Sequence, residues 1–255
     1  MLNPESKTNP ERNVSRLMNT WLWIELGLLF WVMPAIIAGL VRPERGDALL
    51  RRIGIDGLSF ETGLPSGAFI FPVLLLTFVT MFLVLKFDPS FDNRKLWDWV
   101  RFKASIRRIL IGFALAGPII LIATWGLANY TDLLDKQGLF YLPREIPLLM
   151  LTIIVFYPWI SAYPQEVTHR AFFFHRYEPI LGTGRIIFIL NVLAFSWLHT
   201  PMWNGVALLM TIPAGILFAW TYRRTQSALA AGFEHAIYGI WVFVTGLGYF
   251  VYAGR

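Results

Sequence analysis

The chain has no cysteine at all. That absence removes disulfides, thiolate metal ligands and cysteine nucleophiles together, and leaves only oxygen and imidazole chemistry. Charge is scarce as well: 15% of the 255 residues are charged and 56% are hydrophobic, with a mean hydropathy of +0.55. A water-soluble domain does not carry that mixture, so a membrane protein is expected. Acidic residues are few, 16 against 22 Lys and Arg. In so apolar a chain the cationic excess belongs to cytoplasmic loops facing anionic headgroups, and no nucleic-acid partner is expected. Internal repeats, low-complexity tracts and a soluble domain are also missing.

Apolar runs long enough to cross about 30 Å of hydrocarbon fall near residues 20–41, 67–86, 109–129, 146–176, 185–201, 204–222 and 227–252. The expected fold is an all-α, polytopic transmembrane bundle of about seven to eight helices around a buried polar site. One bundle is expected in two parts: N-terminal helices with an interfacial segment over 1–145, and core helices over 146–255. The stretch before residue 20 is polar and no small-residue cleavage site follows the first run, so a retained helix is expected rather than a signal peptide. With the N-terminus placed in the cytoplasm, 15 of the 22 cations lie inside, as the positive-inside rule asks. Segment 86–108, with Trp97 and Trp99 among basic residues, reads equally as an interfacial helix or a solvated loop. Residues 42–66 are expected outside, with a short amphipathic piece "ALLRRIGI". The location implied is an integral, multi-pass membrane, the plasma or inner membrane for a bacterial source.

Histidine is limited to His169, His175, His199 and His235, all in the second half of the chain, and three acids fall within spans: Glu25, Glu166 and Glu234. Ionisable groups in a membrane segment are functional by default. Counted from Arg176, Arg185 and Arg224 at about 1.5 Å per residue, Glu166, His199 and His235 lie roughly 15, 21 and 16 Å deep. Three helices thus bring a carboxylate and two imidazoles to one level. Glu166 and Arg170 are spaced to pair on one helical face. Asn191, Phe195 and His199 form a stripe at four-residue intervals facing the bundle. Glu234 and His235 are adjacent and diverge, and His235 is taken as the one aimed at the site.

Such a set can polarise a water for attack on a carbonyl. It can equally hold a divalent metal such as zinc through Glu166, His199 and His235. The remaining polar features have plainer readings. Glu25 is expected to be an interhelical or snorkelling partner, His169 and His175 to be packing or interfacial residues, Gly182 and Gly184 to form a turn, and "VTGLGYF" to allow close helix packing.

The motifs "QEVTHR", "FSWLH" and "HAIYG", in that order on three spans across roughly residues 145–250, resemble those of the CAAX protease and bacteriocin-processing (Abi) family of intramembrane endopeptidases. The resemblance implies that Arg170 braces a glutamate pair, that His199 and His235 position water or metal, and that the substrate is a membrane-embedded or lipidated protein or peptide. It also exposes two departures: Gln165 stands where the family has its water-activating glutamate, and Gly239 where it has an asparagine at the oxyanion. An amide is no general base, so Glu166 or Glu234 would have to supply the carboxylate. The readings that follow are an endopeptidase, a binding-only scaffold or maturation partner of the same architecture, and a small transporter or proton path.

Overall fold

The computed structural model describes residues 10–41, 67–134 and 138–251; the expected loop at 42–66 lies outside them. The first span is α1 (Pro10–Gly27), a π-helical turn at Leu28–Val32 and α2 (Met33–Leu40). Then come α3 (Gly67–Phe87), α4 (Trp99–Tyr130) and the short α5 (Tyr141–Glu145). The fourth apolar run becomes α6 (Pro147–Tyr157), α7 (Tyr163–Glu166) and α8 (Phe173–Leu181). The last three spans are α9 (Arg185–Trp197), α10 (Gly205–Thr225) and α11 (Ala228–Thr245).

Among the described residues six helices are long and apolar enough to cross a membrane, and a shorter apolar helix, Pro72–Phe87, lies within α3. Large apolar side chains such as Leu76, Leu115 and Leu148 are 68–75% exposed. Outward apolar faces of this extent are what a hydrocarbon solvent requires. The protein is a multi-pass membrane protein, all-helical among the described residues.

Local chemistry sets the helix ends. Asp98, Asn204 and Ser227 cap α4, α10 and α11 by accepting backbone N–H bonds from Arg101, Ala207 and Ala230. Gly182, at φ 69°, closes α8 in a conformation that favours glycine. The turn expected at "ILGTGR" is therefore there. Segment 86–108 is neither a separate interfacial helix nor a plain loop. A turn at residues 88–91 and a 3-10 turn at Asn93–Lys95 lead to the Asp98 cap, and the basic residues beyond it form the first turns of the 32-residue α4. No proline interrupts residues 99–117, so nothing stops the helix between headgroup and hydrocarbon.

Two ties anchor the N-terminal helices to α8. Glu25 accepts from Arg176 at 2.9 and 2.8 Å and from the Tyr177 hydroxyl at 3.2 Å. The expected interhelical role of Glu25 is thus a forked ion pair. His175 contacts Asp88 at 2.9 Å and packs on Phe91. The Asp88 carboxyl is pulled from its ordinary 3.8 to about 2, first by the Ser90 hydroxyl, then by His175 and the Ser90 N–H. A depressed carboxyl contributes stability that is present above its ordinary value and lost as pH falls towards its folded one. The melting-temperature gap between wild type and Asp88→Asn is therefore expected to hold at about pH 5 and to close between about pH 4 and pH 2. A gap unchanged over that range would show that the corner does not depend on this carboxylate.

The core lies under α11, which packs against α4, α6, α7 and α10. Beside it passes the broken fourth span. Pro158 and Pro164 lack the N–H that an unbroken helix would use, and π-helical turns occupy Pro158–Ala162 and Val167–Phe172. Every residue from 164 to 173 is buried. Turns of this kind re-aim a helix face, and they concentrate at functional sites. Here they carry the polar run through the interior of the bundle. The "VTGLGYF" segment is both a turn and a close contact through small residues: α11 stops at Gly246, φ 113°, where a Cβ would fall 2.8 Å from the Gly138 carbonyl oxygen, and the Thr245 carbonyl accepts from Phe140 N–H.

Candidate active site

Glu166 is completely buried, and its two oxygens face different partners. His235 Nδ1, from α11, is 2.9 Å from Oε1, and Arg170 Nε is 3.1 Å from Oε2. An ionised carboxylate only accepts, so the His235 bond places the proton on Nδ1 and, in the neutral ring, leaves the Nε2 lone pair bare. Phe218 stacks on the His235 ring at 4.6 Å and 15°, which fixes its plane.

Arg170 is also fully buried. Its Nη1 donates to Asn191 Oδ1 at 2.8 Å, and the Asn191 amide donates in turn to the His169 carbonyl. The guanidinium carbon lies 4.6 Å from the centre of the Phe195 ring, a cation–π arrangement that favours the charge in an apolar setting. A buried ion is held by such a shell of partners, because alone it would be far too costly.

Phe195 is the hub of the arrangement. The rings of His169, His199 and His235 lie 5.8, 5.2 and 5.6 Å from it, all edge to face. His199 sits just past the end of α9, and its Nδ1 lies 2.9 Å from the Phe195 carbonyl. A carbonyl only accepts, so this ring too holds its proton on Nδ1 and leaves Nε2 bare. His199 is both a helix-end cap and a site residue.

Gln165 donates to Ser161 Oγ at 2.9 Å, while its Oε1 is buried without a protein partner. Arg170 Nη2 shares that condition, and the facing atoms Glu166 Oε2 and Arg170 Nε are close without an aligned hydrogen bond. Each unsatisfied buried group costs about 1–3 kcal/mol. Groups clustered in this way call for a polar occupant, water or substrate. Glu234 is turned from the site towards Thr221 of α10 and Arg108 of α4, so it is not the second carboxylate beside Glu166.

The structure brings Gln165, Glu166, Arg170, Asn191, Phe195, His199 and His235 together. It adds His169, which the sequence assigned to packing near the cytoplasmic edge and which lies buried against Phe30 and Phe195. Its three-residue spacing from Glu166 was the available signal. Tyr157 was also missed, and its ring centre is 6.0 Å from that of His235.

Among the described residues no three His, Asp or Glu side chains are grouped to hold a metal ion. Both oxygens of Glu166 are turned to Arg170 and His235, so the set Glu166, His199 and His235 does not fit as a three-donor centre.

Residues 146–241 match a family model described as "Rce1-like: Type II CAAX prenyl endopeptidase Rce1-like". No curated protein and no solved structure matches the chain. The matched stretch runs from the start of α6 into α11 and contains each of the residues just assembled, and over it the chain is similar to the type II CAAX prenyl endopeptidases.

Proposed function

We propose that the buried site hydrolyses a peptide bond of a prenylated, CAAX-type or otherwise lipidated peptide held in the membrane, using protein side chains alone. The carrying observation is the 2.9 Å contact of Glu166 with His235 across two helices, at full burial, inside the matched segment. It supports a carboxylate–imidazole pair with His235 Nε2 as the base. In this reading Glu166 does not touch water, so Gln165 is no obstacle. Its bare Oε1 accepts one hydrogen of the water whose other hydrogen goes to His235.

The water oxygen bonds to the carbonyl carbon while its proton passes to His235 Nε2, and Glu166 stabilises the imidazolium. As the C–N bond breaks, the same proton goes to the leaving amine. His199 Nε2, a second acceptor, steadies the scissile N–H. Arg170 holds Glu166 in place. The N-terminus is placed in the cytoplasm by the cation distribution.

The test is a farnesylated peptide ending in a CAAX sequence, incubated with the purified protein in proteoliposomes and read by mass spectrometry. Cleavage that survives a chelator and falls at least about 100-fold in His199→Ala is expected. An intact peptide that nonetheless binds would favour the scaffold reading, to which Gln165 and Gly239 point. Cleavage abolished by chelator and restored by zinc would overturn the side-chain mechanism.

A further inference from the structure

The site leaves few hydrogen-bond donors free. The developing oxyanion needs a hydrogen-bond donor, yet most protons nearby are already committed. His235 Nδ1–H goes to Glu166, His199 Nδ1–H to the Phe195 carbonyl, the Gln165 amide to Ser161, and Arg170 Nη1 to Asn191. Arg170 Nε faces Glu166, and Arg170 Nη2 is the other buried donor nearby that has no protein partner. Gly239, one helical turn beyond His235, has no side chain to offer.

What fills the space at Gly239 is Tyr157. A Cβ built on Gly239 would overlap the phenol, falling 2.5 Å from Cε1, 2.6 Å from Cζ and closer still to the hydroxyl oxygen. The ring comes from the last residue of α6, just before the π-helical turn at Pro158–Ala162. It is wedged edge to face between His235 and Phe243, at 6.0 and 5.7 Å. Its hydroxyl makes no hydrogen bond to the described protein, and the phenol lies within electrostatic range of Glu166. A donor placed beside the base and left without a protein acceptor is positioned for a ligand oxygen.

We propose that the Tyr157 hydroxyl donates to the carbonyl oxygen of the scissile bond, and that Gly239 is glycine because the phenol occupies the place of its side chain. Any side chain at 239 would push the donor out, and the two positions act as one unit. This rests on the hydrolytic reading above.

The test uses the full-length protein in proteoliposomes with the farnesylated CAAX peptide, following cleavage and binding separately. Tyr157→Phe keeps the ring, and it should lower kcat about 100-fold with KM and melting temperature nearly unchanged. Gly239→Ala should lose activity similarly by displacing the phenol. Tyr157→Ala should be as poor as Tyr157→Phe, and adding Gly239→Asn, whose amide then has room, should recover at least about tenfold. Wild-type cleavage matched by Tyr157→Phe would remove the donor assignment and leave the hydrolase intact. A wild type that binds the peptide without cutting it, and binds about tenfold more weakly as Tyr157→Phe, would keep the donor and remove hydrolysis. Neither binding nor cutting by the wild type would overturn both.

Discussion

Glu166→Gln is expected to lower kcat about 10³- to 10⁴-fold, the scale seen when the carboxylate behind a catalytic imidazole is neutralised. The amide has almost the same shape and can reach the same His235 nitrogen, so packing around it changes little. It no longer balances the imidazolium formed when His235 takes the proton, and its NH2 end can turn towards Nδ1 and impose the wrong tautomer. The loss should appear in kcat far more than in KM, because the charge on His235 exists only after attack has begun. Single-turnover cleavage of the farnesylated peptide separates the two. A variant within tenfold of wild type would mean that Glu166 is a structural ion and that the base lies elsewhere.

Arg170→Met is expected to destabilise the bundle by about 3–5 kcal/mol, since it strands a fully buried carboxylate. The side chain also leaves Asn191 without its donor and Phe195 without the cation above its ring. Removing both charges should behave differently: Arg170→Met with Glu166→Gln is expected to recover most of the melting temperature, because no lone ion remains, and to stay inactive. Thermal unfolding in detergent, run beside the cleavage assay, reads both. If the double variant were as unstable as the single one, the ion pair would be holding more of the architecture than its own charges.

The bundle was legible in the sequence because a membrane leaves its spans apolar on nearly every side, and hydropathy alone marked seven runs that the helices follow. The grouping of the site was legible too: counting inward from basic boundary residues put Glu166, His199 and His235 at one level, and His235 meets Glu166 while both imidazoles lie against Phe195. What escaped were features made by packing between distant segments. The π-helical turns flanking Tyr163–Glu166 bury ten consecutive residues, whereas regular α periodicity would expose part of them. Counting along the chain therefore left out of the site His169, which lies buried against Phe30 and Phe195. The join of segment 99–108 to the third span was hidden because charged residues with good helical propensity do not mark a break. Gly239 could be read only as a missing side chain; that a tyrosine from α6 fills the gap is a contact between elements far apart in the chain. The pairing of Glu25 with Arg176 was likewise visible as a buried acid seeking a partner, without naming it.

The central claim is that the Glu166–His235 pair activates water within the membrane. Its most direct test is cleavage of the farnesylated CAAX peptide in water enriched in heavy oxygen, comparing wild type with His235→Ala. The account predicts that the wild type yields a fragment carrying one heavy oxygen in its new carboxylate, and that His235→Ala yields essentially none over the same time while still binding the peptide. An intact peptide with the wild type, or equal labelled product from both proteins, would contradict it.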